Sequence, residues 1–208
     1  MESELRIMSS KNIQNLRNHA DIRTPRLDLI AITLPLLQCE IEGGAGFATR
    51  FGALAGAEIP PQWPPQDWEP HVLDYVLQQL TAQPKTLGWT RYISLRDAET
   101  DRRTLIGTVG AIPPGTELSH FAPGEIEVGY GILPVFQRRG FATEALAGMM
   151  DWVRLRVEVS AFVAQTFPHL QASIRVLEKS GFERAGDGFE AGTILFRLDW
   201  HRSHAGSA

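Results

Sequence analysis

Two glutamates and two glycines alternate along one predicted strand, EIEVGYGIL, at residues 125–133. Because side chains alternate between the faces of a strand, Glu125, Glu127, Gly129 and Gly131 share a face. The glycines leave room for a substrate beside carboxylates, and a carboxylate can take a proton from a substrate group directly or through a water molecule. Glu127 is therefore the candidate general base. Glu125 is a weaker candidate that could contact the substrate, and solvent-facing carboxylates are the alternative for both.

The segment after this strand, LPVFQRRGFATEAL, predicts an anion site. Pro134 ends the strand, and a helix is predicted to begin near Gly140. The N–H groups of a first helical turn lack intrahelical acceptors, and the helix dipole adds partial positive charge, so such a turn suits a diphosphate. Gly140 lets a phosphate approach the backbone closely, and Ala142 keeps the next turn narrow. Arg138 and Arg139 add charge, although an ordinary turn with solvated arginines is the alternative.

The composition describes an ordinary globular domain. The chain has 208 residues, of which 43% are hydrophobic and 21% charged, with a formal net charge of −4. A general nucleic-acid binder needs a basic face, so that class is not expected. Cys39 is the single cysteine, which excludes an internal disulfide and a thiolate metal cluster, and no metal site is predicted. No signal peptide or membrane-spanning run is recognisable, so a cytoplasmic protein without a membrane partner is expected.

The elements that must position these residues alternate between strands and helices. Period-2 patterns predict strands, and apolar residues at helical spacing predict helices. Together they indicate a mixed α/β sheet around one core, at residues 21–200, between a tail at 1–20 and another at 201–208. The predicted strands are 26–33, 90–96, 104–112, 125–133, 157–166 and 193–200, and the predicted helices are 34–42, 45–54, 67–80, 140–153 and 171–180.

Three motifs in this order resemble the GNAT N-acetyltransferase superfamily. The stretch QRRGFA, residues 137–142, resembles its acyl-CoA pyrophosphate loop: Gln or Arg, two residues, Gly, one residue, then Gly or Ala. EIEVGYGILP resembles its fourth strand, and TFPHLQASIRVLEKSGFERAG resembles its last helix and the strand after it. The stretches IRTPRLDLIAIT, ATEAL and SIRVLEKSGF point to the ribosomal-protein acetyltransferase-like branch, the RimJ/RimL type.

The resemblance implies the acyl-CoA N-acyltransferase fold, a largely antiparallel sheet flanked by helices. This sheet would be splayed between the fourth strand, 125–133, and the fifth, 157–166. The pantetheine arm of acetyl-CoA would lie in the gap against the backbone of the strand end, with the diphosphate on the following turn. The implied cofactor-binding residues are Ile132, Leu133, Val135, Gln137, Arg138, Arg139, Gly140, Phe141, Ala142 and Thr143.

The chain departs from the family at the position of the acid. Many members carry a Tyr in the last helix that protonates the thiolate and an Asn nearby that contacts the pantetheine; here these are Leu177 and Leu170. Ser173 lies between them, and the branch suggests that it hydrogen-bonds the CoA sulfur, although a serine there is also commonly a helix cap. The family places the loop after its first helix over the acceptor. Trp63 and Trp68 are therefore expected to line the substrate pocket, with core packing as the alternative.

The expected activity is transfer of an acetyl group from acetyl-CoA to a primary amine of a small molecule or peptide. The sequence does not identify this acceptor, and a monomer or a homodimer is expected. A CoA-binding regulatory or sensor domain with little catalysis is the alternative, favoured by Leu170 and Leu177. A plain interaction module would leave the phosphate-binding turn unexplained.

Overall fold

A computed structural model describes residues 21–66, 68–116 and 121–200. The predicted tails at 1–20 and 201–208 lie outside the described residues. Within the described ranges, eight strands form one sheet in the order β1-β2-β3-β4-β5-β6-β8-β7. They are β1 (Ile22–Arg23), β2 (Leu27–Ala31), β3 (Thr90–Arg96), β4 (Arg103–Ala111), β5 (Glu125–Ile132), β6 (Ala161–Thr166), β7 (Glu183–Asp187) and β8 (Ile194–Asp199).

Helices cover both faces of the sheet, which confirms the mixed α/β architecture. The core on one face is built with residues of α4 and α5, and the core on the other with residues of α1, α2 and α3. We refer to these as the α4–α5 face and the α1–α3 face. The helices are α1 (Leu34–Glu42), α2 (Phe47–Ala55), α3 (Pro70–Ala82), α4 (Phe141–Arg154) and α5 (Gln171–Lys179), and short 3-10 turns span Pro84–Thr86 and Pro134–Phe136.

The predicted start of β6 at Val157 was wrong, because the strand begins at Ala161. Val157 N donates to Val153 O at 3.1 Å, so the chain is still completing the end of α4 at this point. The alternation in VEVS therefore belongs to a helix-end turn. The short strand β1, which pairs with β2, was not predicted, because two residues are too few for a periodic pattern.

The sheet splays between β5 and β6, as the resemblance implied. β4 and β5 pair in antiparallel fashion from Gly107↔Ile132 to Ala111↔Val128. β5 and β6 pair in parallel and only from Glu125↔Ala161 to Glu127↔Val163. Beyond Glu127, β5 continues beside β4 while β6 continues beside β8, so a gap opens between them. We call this point of divergence the fork.

A buried ion pair ties β2 to the neighbouring strands. Asp28 is 5% exposed although it lies within β2, where every residue is buried. Its Oδ2 lies 3.0 Å from Arg103 Nε, and its Oδ1 accepts a hydrogen bond from Arg96 Nη1. Arg96 also donates to the carbonyl of Leu27 at 2.6 Å. The Asp28 carboxylate therefore supplies the negative charge that both arginines pair with at this position.

We expect Asp28→Ala to lower the free energy of unfolding by about 3 kcal/mol, because it leaves the buried Arg96 charge uncompensated. Denaturant unfolding followed by circular dichroism measures the change. Asp151→Ala is the control: it breaks the exposed Asp151–Arg154 pair, 2.9 Å long, and should cost less than about 1 kcal/mol. Equal losses in the two variants would contradict a stabilising role for the buried pair.

Candidate active site

The peptide groups along β5 face two different partners. Glu127 O accepts from Ile112 N at 2.9 Å, and Leu133 N donates to Ile106 O at 2.8 Å, both on the β4 side. Peptide groups of successive residues on a strand point to opposite sides. The even-numbered peptide groups beyond Glu127 therefore face the gap, where β6 has turned away. A ligand lying in the gap can use them as it would the edge of a strand.

The residues predicted to contact the pantetheine arm, at the end of β5, differ in their exposure and in their backbone hydrogen bonds. Ile132 faces the gap, and its carbonyl accepts a hydrogen bond from Gln137 Nε2 at 2.9 Å. Leu133 is fully buried, and its carbonyl accepts from Phe136 N at 2.9 Å, so both its backbone groups are used within the fold. Val135, by contrast, is 59% exposed.

The turn before α4 has the backbone conformation of an anion site. Arg138 has φ 62° and Gly140 has φ 81°, both in the left-handed region. Gly140 is the N-cap of α4 and makes no side-chain cap, so the helix start keeps its amides directed outward. Its own carbonyl accepts from Glu144 N at 3.1 Å, which begins the helical bonding. The first-turn amides are those of Phe141, Ala142 and Thr143.

Arg26 completes this turn from the other end of the chain. Its Nε lies 2.6 Å from Glu144 Oε2, and its Nη1 donates to Arg139 O at 3.0 Å. Arg26 and Arg139 both lie over the Phe141 ring, at 4.6 and 4.9 Å from its centroid. Burial alone would raise the pKa of Glu144, but hydrogen bonds from Thr24 and Arg26 outweigh it and lower the pKa. Sequence reasoning missed Arg26, because nothing local links it to a helix start more than a hundred residues away.

Glu127 lies at the fork on the α1–α3 face, where it is half-buried. Gln165 on β6 donates from Nε2 to Glu127 Oε1 at 2.8 Å, so a side chain bridges the two strands as they separate. Among the described residues, a Cβ added to Gly129 would meet nothing within 4 Å, so these residues leave open space at that glycine. A Cβ added to Gly131 would lie 3.5 Å from Pro65, so the loop before α3 covers that position. The room beside the carboxylate is therefore at Gly129.

Sequence reasoning missed Gln165, although the strand contained a signal. In AFVAQT, Gln165 is the one amide side chain in an otherwise apolar or hydroxyl-bearing run. A polar group within a half-buried strand needs a hydrogen-bond partner, and here that partner is Glu127.

A tyrosine on α3 faces the same region. Tyr75 Oη is buried and has no hydrogen-bond partner in the described part of the chain. Burial raises the pKa of Tyr75, the charge of Glu127 adds to the rise, and the Thr116 hydroxyl opposes it. Tyr75 and Gln79 line a cavity of about 10 Å³, roughly the space that one water molecule needs. Gln79 Oε1 is likewise buried without a partner among the described residues, so this side of the sheet has unused polar groups.

Ser173 lies in the first turn of α5, half-buried against β5. Tyr130 Oη donates to Ser173 O at 3.0 Å and lies 3.3 Å from Ser173 Oγ. Burial raises the pKa of Tyr130 to about 12, and the hydrogen bond with Ser173 opposes the rise. Leu177 is 1% exposed, and Leu170 is 38% exposed. Sequence reasoning assigned Tyr130 to the apolar strand face and missed its hydroxyl contact with Ser173.

Glu125 has a partner of its own within the fold. Arg197 on β8 donates from Nη1 to Glu125 Oε1, and its Nε donates to Asp199 Oδ1 at 2.7 Å. Glu125 Oε2 also accepts from Ala122 N at 3.2 Å. These contacts hold the start of β5 against β8, and a substrate contact of Glu125 stays a prediction.

Trp63 and Trp68 belong to the core on the α1–α3 face. Trp63 Nε1 donates to Glu40 Oε1 at 2.7 Å, and the Tyr92 hydroxyl donates to the other oxygen of Glu40. Trp68 is 6% exposed and meets Tyr92 edge-on, with ring centroids 6.0 Å apart. Burial raises the pKa of Glu40, although the hydrogen bonds from these aromatic residues oppose it. Trp68 is therefore packed in the core, which was the alternative to lining the substrate pocket. The indole N–H of Trp63 is bonded to Glu40.

Within residues 21–66, 68–116 and 121–200, three or more His, Cys, Asp or Glu side chains do not come together. The helices of these ranges are too short or too polar to cross a membrane. The carboxylates at the site are instead hydrogen-bonded by neighbouring side chains: Gln165 for Glu127, and Thr24 and Arg26 for Glu144.

Residues 51–183 match the family described as acetyltransferase (GNAT) domain. The matched range contains the fork, the turn before α4 and α5. A curated relative is YjdG of Bacillus subtilis, an uncharacterized N-acetyltransferase that is 26% identical over 161 residues. That alignment covers 77% of this chain and 88% of the relative.

Solved acetyltransferases share the fold. A ribosomal-protein-alanine acetyltransferase from Vibrio fischeri superposes with a TM-score of 0.55 and 18% identity, covering 86% of this chain and 96% of the other. The ribosomal-protein acetyltransferase RimL, solved in complex with coenzyme A, gives a TM-score of 0.55 and 16% identity, covering 86% and 97%. At these identities the likeness concerns the architecture.

The Tyr130 hydroxyl gives a prediction about alkaline stability. Its pKa is about 12 in the folded protein, against an ordinary value of 10.0, so between these pH values the unfolded chain binds fewer protons. Stability linked to Tyr130 is therefore complete below about pH 10 and is lost as the pH rises towards 12. At neutral pH we expect the free energy of unfolding of the wild type to exceed that of Tyr130→Phe by about 1 kcal/mol. This difference should shrink above pH 10. Denaturant unfolding over this range measures it, and a constant difference would contradict the assignment.

Proposed function

Because the chain belongs to the GNAT acetyltransferase family, we propose that it transfers an acetyl group from acetyl-CoA to the primary amine of a small molecule or peptide, with the chemistry at the fork of β5 and β6. As a member of this family it is an acetyl-CoA-dependent acyltransferase. The observation that carries the proposal is the position of Glu127, a carboxylate held where the gap opens and beside the open space at Gly129.

The residues at the gap fit acetyl-CoA. The uncapped first turn of α4 offers backbone N–H groups to the diphosphate, and Arg138 and Arg139 are exposed beside it. Gly140 leaves the approach to these amides without a side chain. The gap-facing N–H of Ile132 is the proposed contact for the pantetheine arm, with Val135 at the strand end, since the Ile132 carbonyl already accepts from Gln137. We assign the cofactor-binding role to the turn at 137–143 and to this strand end.

Acetyl-CoA supplies the acetyl group as a thioester, whose carbonyl carbon is open to attack by an amine. The amine must be deprotonated to attack, and Glu127 is the proposed base, acting directly or through a water molecule. Tyr75 has a buried hydroxyl without a partner in the described part of the chain, and leaving it so costs about 1–3 kcal/mol. An acceptor or a relay water at Gly129 that bonded Tyr75 would remove this cost.

The proton for the departing thiolate is proposed to come from Ser173. Its hydroxyl lies 3.3 Å from Tyr130 Oη, which positions it, and the proton that Ser173 gives to the thiolate is returned from water after the thiol has left. Leu177 is buried, and it offers no proton at the position where many relatives carry a tyrosine. Burial raises the pKa of Tyr130, so Tyr130 keeps its proton and holds the start of α5 through its bond to Ser173 O.

A panel of amines, screened for release of free thiol from acetyl-CoA, tests the proposal. The panel should include peptides with different N-terminal residues, because ribosomal proteins are the named substrates of the structural relatives. Polyamines, aminoglycosides and amino acids form its other arms. Turnover with any of them supports catalysis. Tight binding of CoA without turnover on the panel would instead support the regulatory alternative.

We expect CoA to raise the melting temperature by mass action, and Gly140→Leu to abolish this shift, because the side chain would occupy the approach to the first-turn amides. Differential scanning fluorimetry measures both. Gly56→Leu is the matched control: Gly56 also has a left-handed φ, 62°, but it is the C-cap of α2, and no described residue lies within 4 Å of a Cβ placed there. Both variants should lose about 1 kcal/mol to backbone strain, and only Gly140→Leu should lose the CoA effect. A retained shift would place the diphosphate elsewhere.

Two substitutions separate the proposed base from the proposed acid. Glu127→Gln should slow the chemical step by roughly 10²–10⁴-fold and remove the acidic limb of the pH–rate profile. The CoA-induced rise in melting temperature should persist, because Glu127 faces the acceptor. Ser173→Ala should slow thiolate departure while the acidic limb is kept. Near-normal turnover by Glu127→Gln on a good acceptor would show that the base assignment is wrong.

A further inference from the structure

We propose that Gln165 is a positioning residue, which orients the Glu127 carboxylate and couples it to the loop between β7 and β8, residues 188–193. The inference rests on the proposed role of Glu127 as the base. Several hydrogen bonds around Gln165 hold the Glu127 carboxylate in place. The loop is then also a part of the acceptor site, although it lies outside the sequence motifs of the active site.

The hydrogen bonds of the loop determine the orientation of the Gln165 amide. Its Oε1 accepts from Phe189 N at 2.5 Å, from Glu190 N at 3.1 Å and from Thr193 Oγ1 at 3.3 Å. Backbone N–H groups can only donate, so the oxygen of the amide must face the loop. The NH₂ group must then face Glu127, whose Oε1 is 2.8 Å away. The reverse orientation would oppose donors to donors at the loop.

This orientation has a consequence for Glu127. An oxygen that accepts from an NH₂ group cannot carry a proton towards that group, so Oε1 is kept as an acceptor. A fixed donor favours the charged form of a carboxylate, and that is the form a base must have before the reaction. The same contact restricts the rotation of the carboxylate at the fork. Gln165 therefore prepares Glu127 both in charge and in direction.

The backbone of the loop is built around this amide. A Cβ at Gly188 would lie 2.1 Å from Thr193 Oγ1 and 2.6 Å from Gln165 Oε1, so only glycine permits the approach. Gly188 N donates to Thr193 O at 2.9 Å, and Thr193 Oγ1 lies 2.6 Å from Glu190 O, which closes the loop on itself. The close packing therefore holds Gln165 at a defined distance from the loop.

The loop carries an apolar side chain at its exposed edge. Phe189 is 60% exposed, and its ring meets Phe121 edge-on, with centroids 4.7 Å apart. Because Phe189 N is bonded to the same amide that holds Glu127, the ring is connected to the base through two hydrogen bonds. We infer that Phe189 contacts the part of the acceptor next to its amine. An acceptor with an apolar group beside the amine fits this rim.

Two substitutions at Gln165 test the coupling. Gln165→Met keeps the length but removes both the donor to Glu127 and the acceptor for the loop, and it should lower kcat roughly 10-fold, the effect of losing one hydrogen bond to a charged group. Gln165→Glu keeps an acceptor for the loop, so the variant should fold normally. It turns a carboxylate towards Glu127, so it should lower kcat more than Gln165→Met does. In both, the acidic limb of the pH–rate profile should move to higher pH, because the charged form of Glu127 loses its donor. Among the described residues, the ionisable groups near Glu127 include Tyr75 on α3 and, on the same face of β5, Glu125 with its partner Arg197.

The controls separate this inference from the proposed function. Gln38→Leu, on the exposed side of α1, should leave kcat and the pH profile unchanged. Phe189→Ala should raise KM for the acceptor and leave KM for acetyl-CoA unchanged. If Gln165→Glu keeps the wild-type kcat and pH profile while Glu127→Gln is inactive, the positioning role is wrong and the base role stands. If Glu127→Gln is also active, the proposed base fails and the inference fails with it.

Discussion

The separation of β5 from β6 beyond Glu127 is the constraint on which the rest of the site depends. Each strand pairs more extensively with its other neighbour: β5 continues its antiparallel pairing with β4 as far as Ile132, and β6 pairs with β8 along its whole length. The peptide groups that face the gap between them are polar, and buried peptide groups need partners. The divergence therefore leaves these groups available to another partner, and the proposed pantetheine arm carries amide groups that can pair with them.

Two side-chain contacts hold the fork on opposite faces of the sheet. On the α1–α3 face, Gln165 reaches from β6 to Glu127 on β5. On the α4–α5 face, Tyr130 reaches from β5 to Ser173 on α5. The proposed base and the proposed acid thus each take part in a contact that spans the divergence. Positions set in this way leave little freedom to the reacting groups, which is the condition for placing an amine and a thioester at reacting distance.

At the end of the gap beside α4, the proposed diphosphate site consists of backbone groups rather than side chains. A glutamate in a first helical turn could compete for the amides there, but Glu144 is turned away by Thr24 and Arg26. Arg26 also bonds the carbonyl of Arg139, so its positive charge remains beside the turn. Membership of the GNAT acetyltransferase family agrees with this arrangement, and the replacement of the customary acid by Leu177 moves the proposed proton donor to Ser173.

The sequence by itself determined what depends on neighbouring residues along the chain. The alternation in EIEVGYGIL predicted β5 and its two faces, and the turn before Gly140 predicted the start of α4 within one residue. The tertiary structure alone decided which side chains meet. Gln165 and Glu127 are 38 positions apart, and Arg26 and Glu144 are 118 apart, so no local pattern records either contact. The predicted substrate contacts Glu125 and Trp68 found partners in the fold for the same reason: strand register and core packing, which no segment specifies alone, determine a side chain's neighbours.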